Sequence, residues 1–211
     1  MKIAFISATK ASIDPIEKAI NELSTNVEYI HLMDTDLLLM LSKEGQMTSA
    51  IIQRFTTLIN LAVASEVNAI QLTCSAFNDL VQVLQPLYNI KIFRSDEAML
   101  DQAAMYKSIG LISTVLETPP VLIGYLKSKQ PNVQIETSVS PGLIHLLYED
   151  RKDEHDLQIK KMIKELEEKV DVIVLSQFSL AHIAKQINCS VPIIAAPDAA
   201  AKRCYEYIKS I

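Results

Sequence analysis

Cys74 is the side chain of this sequence whose type and setting best suit acid/base or nucleophilic chemistry. It sits in the run Leu72-Thr73-Cys74-Ser75-Ala76-Phe77, after an apolar stretch that suits a buried strand and before a helix expected to begin within Ser75 to Asn78. A helix N-terminus favours a thiolate through its dipole and its free N–H groups, so an activated thiol is the expectation. The competing reading is a small buried hydrophobe, which most unpaired cysteines are. Short polar side chains end the other apolar runs as well: Ser7 with Thr9, Ser95-Asp96-Glu97, Ser113-Thr114, Ser176-Gln177 with Ser179, and Asp198 after Pro197. A rim of hydroxyls and amides suits a small, polar, carboxylate-bearing ligand. Each hydroxyl could equally be an ordinary strand-end or helix-cap group. Arg94 is the one arginine at a strand end, either a fork for a carboxylate or simply solvated. His182 is expected on a helix surface or as a residue supporting the site, not as a base, and His155 at a helix start, while Cys189 and Cys204 read as packing residues.

The elements that must hold these groups alternate. Ile3 to Ile6, Ala69 to Leu72, Ile90 to Phe93, Ile109 to Ile112, Val170 to Leu175 and Pro192 to Ala195 read as buried parallel strands. Ile13 to Leu23, Thr48 to Ser65, Asn78 to Leu84 and Asp156 to Glu168 carry helical spacing between them. The first of these helices is expected to open on Asp14-Pro15, with Asp14 as its cap. Alternation of this kind predicts an α/β fold with parallel sheets.

The sequence also repeats itself. Ile3-Ala4-Phe5-Ile6-Ser7 matches Ile109-Gly110-Leu111-Ile112-Ser113, Ala69 to Cys74 matches Val172 to Gln177, and Ile92 to Ala98 matches Ile193 to Ala199, at offsets of 106, 103 and 101 residues. This predicts two pseudo-symmetric lobes, each a parallel sheet flanked by helices: residues 1–95 with 196–211, and residues 96–195. Ligands of such sheets sit beyond the carboxyl ends of the strands, so the active site is expected in the interlobe cleft.

Composition removes other classes of function. The four glycines, Gly45, Gly110, Gly124 and Gly142, are spaced too widely for a GxGxxG, Walker A or GxSxG loop. Three cysteines without a CxxC pair and four histidines without HExxH leave a zinc site with no basis in the sequence. A net charge of −5 argues against nucleic acid or an anionic membrane as partner. With 49% hydrophobic residues among 211, in short interrupted runs, the chain is expected to be globular. Its opening, MKIAFISATK, has no long apolar region, which predicts a cytoplasmic protein. A homodimer is the commonest assembly for soluble enzymes.

Taken in order, Ser7-Ala8-Thr9, Leu72 to Phe77, Glu97-Ala98-Met99, Ile109 to Thr114, Val174-Leu175-Ser176-Gln177-Phe178-Ser179 and Pro197-Asp198 resemble the aspartate/glutamate/hydantoin racemase superfamily over nearly the whole chain. The resemblance implies an isomerase of amino acid metabolism that uses neither pyridoxal phosphate nor metal. Typical members invert a carbon next to a carboxylate with two cysteines, one per lobe. Thiols suit both proton transfers because their pKa of about 8.5 lies close to working pH. On that basis Cys74 and Gln177 are the catalytic candidates. Ser7, Thr9, Thr73, Ser75, Ala76, Ser113, Thr114, Phe178 and Ser179 are the substrate-binding candidates.

The chain departs from the pattern at the second cysteine. Where typical members read Gly-Cys-Thr it has Ser176-Gln177-Phe178, and an amide does not exchange protons at neutral pH. Three readings follow: a one-thiol acid/base enzyme such as a racemase with a non-cysteine partner or a decarboxylase, a maleate-isomerase-like enzyme with Cys74 as nucleophile, or a non-catalytic protein that binds a small carboxylate.

Overall fold

The computed structural model describes residues 1–24, 26–116 and 118–211. The chain divides into two compact units, residues 1–97 with 200–211 and residues 98–199. Its first part runs β1 (Lys2–Ser7), α1 (Ile13–Leu23), β2 (Glu28–Met33), α2 (Asp36–Glu44), α3 (Ser49–Ala64), β3 (Ala69–Leu72), α4 (Leu80–Leu84) and β4 (Lys91–Phe93). It continues through α5 (Glu97–Ala103), β5 (Ser108–Ser113), α6 (Thr118–Lys129), β6 (Gln134–Val139), α7 (Ile144–Tyr148), α8 (Lys152–Leu166), β7 (Val172–Leu175), α9 (Ala181–Ala184), β8 (Ile193–Ala195) and α10 (Ala196–Ser210). Among the described residues each unit holds one parallel sheet, ordered β2-β1-β3-β4 in the first and β6-β5-β7-β8 in the second. No helix among them is long and apolar enough to cross a membrane.

The repeat read from the sequence extends to strand register. Ile3 pairs with Ala69 and Ile109 with Val172, Ile70 with Ile92 and Ile173 with Ile193. Central strands β3 and β7 are buried along their whole length, as parallel strands covered on both faces must be; β7 is apolar throughout, whereas β3 carries Gln71, whose buried amide donates to Leu72 O at 2.8 Å and Arg94 O at 3.0 Å. Two strands were not expected: β2 and β6, each at a sheet edge. Their burial is partial and irregular, so neither carries an uninterrupted apolar stretch.

Helix ends depart from expectation in two places. Ser12, not Asp14, is the residue that caps α1, and its hydroxyl is engaged elsewhere. Asp14 lies inside the first turn, where its charge still favours the helix dipole. Helix α8 begins four residues before the expected Asp156, which carries His155 into a fully buried position rather than to a helix start. Other ends follow local chemistry: Thr48 caps α3 through the Ile51 N–H at 3.4 Å, and Gly45 closes α2 at a φ of 65°, a left-handed conformation that glycine adopts without strain.

Each unit closes around its own apolar core. In the first, Ile51, Phe55 and Ile59 of α3 pack with Ile70, Leu72 and Ile92 of the sheet; in the second, Ile159 and Ile163 of α8 pack with Ile173 and Leu175. The approach of α8 to β5 is close at Gly110, where a Cβ would lie 3.2 Å from both Leu166 Cδ1 and Val170 Cγ2. Gly110→Val overfills that contact and should lower unfolding free energy by about 1–3 kcal/mol in chemical denaturation; an unchanged midpoint would contradict the close approach.

Candidate active site

In the first unit the chain leaves the sheet just after β3. The Thr73 N–H donates to Ile6 O at 3.0 Å, and Cys74 then takes an extended backbone (φ −128°, ψ 120°) at the head of a tight turn over Ser75–Phe77. Phe77 anchors that turn. It is 1% exposed, its ring stacks on Phe55 at 5.3 Å, and its N–H reaches Cys74 O at 3.4 Å. Cys74 is half-buried, whereas the following Ser75 and Ala76 are exposed.

The expected activated thiolate is not what this setting produces. Burial pushes the Cys74 thiol up, and the Ala76 backbone N–H at its sulfur offsets this only in part. The turn after Cys74 is short, and α4 does not begin until Leu80, so the sulfur lacks the helix start expected within Ser75 to Asn78. Burial also raises Cys189, and it pushes the fully buried Cys204 up to about 12.

The hydroxyls beside Cys74 bond mainly to one another. Ser7 Oγ lies 2.8 Å from Thr73 Oγ1, Ser12 Oγ lies 2.9 Å from the same oxygen, and Ser12 donates to Thr9 O at 2.9 Å. Thr9 Oγ1 accepts from the Ala11 N–H at 3.3 Å. Ser7, Thr9 and Thr73 are thus brought together through Ser12, which no motif marks out. At the end of β4, Asn78 Oδ1 accepts from Ser95 N–H at 2.9 Å and Ser95 Oγ at 3.2 Å, tying the segment after Cys74 to the next strand. Of the two readings of Arg94, the structure removes the solvated one: its side chain is mostly buried and pairs with Asp96 at 3.1 Å. Beyond β2, Arg54 of α3 holds Asp34 (Nη2 to Oδ1, 2.9 Å) and Asp36 (2.6 Å), and the Asp34 N–H donates to Ser7 O at 3.1 Å. No sequence spacing announces that cluster, because its members come from separate elements.

The second unit repeats the frame with different side chains. Ser176 N–H donates to Ile112 O at 3.2 Å, and Gln177 follows in the same extended conformation (φ −121°, ψ 145°) at the head of a turn over Phe178–Leu180. Leu180 N–H donates to Gln177 O at 3.1 Å, the counterpart of Phe77 to Cys74. Gln177 therefore stands in its own unit where Cys74 stands in the other. Its Oε1 accepts from the Thr114 N–H at 3.0 Å and lies 3.2 Å from Thr114 Oγ1. Ser113 Oγ donates to Val115 O at 2.8 Å; Phe178 is buried and Ser179 half-buried.

Behind this turn, Asp156 of α8 ties α9 down. It accepts from His182 Nε2 at 2.8 and 2.9 Å, lies 2.9 Å from His155 Nδ1, and is paired with Lys152. Of the two readings of His182, helix surface or supporting residue, the structure gives the second: it is a brace. Among the described residues no group of three or more His, Cys, Asp or Glu is arranged to hold a metal ion. Burial of Asp156 opposes ionisation, but the hydrogen bonds from Lys152, His155 and His182 outweigh it and hold the carboxyl down at about 2. Against an unfolded value of about 3.9, a depressed carboxyl stabilises the fold above that value and loses the contribution as pH falls toward 2. Denaturation midpoints should therefore drop between roughly pH 5 and 2, and Asp156→Asn should flatten that acid slope; an equal slope in the variant would contradict the brace.

No protein-family model matches the chain, and no curated protein matches it. Solved structures do. An aspartate racemase homologue from Pyrococcus horikoshii superposes with a TM-score of 0.79 at 14% identity, covering 99% of both chains. A glutamate racemase isoform from Bacillus anthracis gives 0.74 at 16% identity over 99% of this chain and 81% of the other. The allantoin racemase from Klebsiella pneumoniae gives 0.71 at 16% identity, over 100% of this chain and 88% of the other. The doubled four-strand frame that presents Cys74 and Gln177 at equivalent turns is the fold of the aspartate, glutamate and allantoin racemases.

Proposed function

We propose that this chain is a cofactor-independent enzyme of the racemase and isomerase type, a divergent member of the aspartate/glutamate/hydantoin racemase superfamily. It acts at the carbon next to a carboxylate of a small amino acid or dicarboxylic acid, with Cys74 as acid/base. The observation that carries this is a half-buried thiol held at the carboxyl end of β3, where parallel sheets bind ligands, in a racemase fold. The charge that develops on the substrate in such a reaction is carbanionic and delocalised onto the neighbouring carboxylate, so hydrogen-bond donors beside the reacting carbon favour it.

One-thiol chemistry fits better than a symmetric exchange. The equivalent position of the second unit carries Gln177, whose amide trades no proton at neutral pH. Burial raises Cys74, so at neutral pH it is a thiol and thus a proton donor. A substituted malonate that loses carbon dioxide leaves a carbanion; the Cys74 S–H protonates that carbon on one face, and water then reprotonates the thiolate.

Cys74→Ala should reduce turnover of a confirmed substrate about 10³-fold or more while lowering the thermal midpoint by less than about 4 °C. The substrate is found by incubating aspartate, glutamate, hydantoins and substituted malonates in heavy water. Deuterium at the reacting carbon of one enantiomer only is expected, and wild-type exchange surviving in Cys74→Ala would sink the assignment. Alkylation of Cys74 by iodoacetamide should rise with a midpoint above the ordinary thiol value of about 8.5 and be slowed by a bound dicarboxylate. A midpoint below that value, or no protection by any acid of the panel, would count against the reading.

A further inference from the structure

The Gln177 amide has only one orientation open to it. The Thr114 backbone N–H can only donate, so the atom 3.0 Å from it must be the amide oxygen, and the Thr114 hydroxyl at 3.2 Å is then the donor of a second bond to it. Thr114 is 2% exposed, so this donor pair belongs to the fixed end of β5. The other end of the side chain is fixed too, because Leu180 is fully buried and holds the Gln177 carbonyl. With Oε1 engaged, the half-buried side chain offers only the two N–H groups of Nε2 at the carboxyl end of β7.

We infer that Gln177 is a fixed donor that selects ligands bringing a carboxylate or carbonyl oxygen to the end of β7 and disfavours those bringing an ammonium group there. Its oxygen also fills the Thr114 donor pair, so a ligand meets the amide NH₂ and not Thr114. This rests on the reading above only in taking the strand ends as the substrate's binding place. It requires no chemistry at Cys74.

The test is a titration of the ¹⁵N-labelled full chain with malonate, and separately with β-alanine, in which a CH2–NH3⁺ group stands in place of one carboxylate. Malonate should shift the Gln177 side-chain NH₂ pair saturably and leave the Thr114 amide nearly still, and β-alanine should need about tenfold more ligand for the same shift. Gln177→Glu keeps an oxygen acceptor for Thr114 but replaces the outward donor with an acceptor. Its Thr114 amide should stay near the wild-type position while malonate affinity falls about tenfold or more. The inference is overturned if malonate leaves the Gln177 pair unmoved, if it shifts Thr114 as strongly as Gln177, or if Gln177→Glu binds malonate as tightly as the wild type. Should malonate move the Ala76 amide beside Cys74 and not Gln177, the inference fails while the proposed function stands.

Discussion

The last rung of each central ladder governs what this molecule can do. Thr73 is bonded to Ile6 and Ser176 to Ile112, and in both cases the very next residue leaves the sheet. Those rungs are backbone hydrogen bonds within buried strands, where an unmade bond would leave a polar group without water, so the point of departure is strongly fixed. Everything chemical follows from it. Cys74 and Gln177 are the first residues released from the ladder, and the turns beyond them are pinned by Phe77 and Leu180 in the two cores.

Upon this shared frame the two halves differ in how their polar side chains are engaged. In the first unit a chain of hydroxyls runs from Ser7 through Thr73 to Ser12, leaving the thiol flanked by groups that already satisfy one another. In the second, the amide itself reaches across to the neighbouring strand end and ties Gln177 to Thr114. The sulfur is raised by burial and the amide is oriented by a donor that cannot accept. These are distinct physical constraints acting on equivalent positions, and they leave one half able to carry a proton and the other able only to offer a hydrogen bond.

Much of this frame is legible in the sequence because buried parallel strands are predominantly apolar, the buried Gln71 of β3 being bonded to backbone carbonyls. Ala69 to Leu72 and Val172 to Leu175 announce themselves, and the ordered repeat carries strand register along with strand identity. The edge strands Glu28–Met33 and Gln134–Val139 do not, since half-exposed positions tolerate His31, Glu136 and Thr137 as readily as apolar residues. The place of Cys74 was also legible, but its protonation was not: a local pattern suggests a helix dipole, whereas desolvation depends on what the fold packs around the sulfur. Ser12, Asn78 and Asp156 escaped for a related reason. Their partners lie far along the chain or on another element, and nothing in their own neighbourhoods distinguishes them from ordinary polar residues.

The turns after β3 and β7 are defined by main-chain bonds and by an apolar anchor three residues on, not by the side chain at their head. That head position behaves as an interchangeable socket. A lineage can replace sulfur with amide there without rebuilding the strand, the turn or the core beneath it, so reactivity and architecture are free to evolve at different speeds.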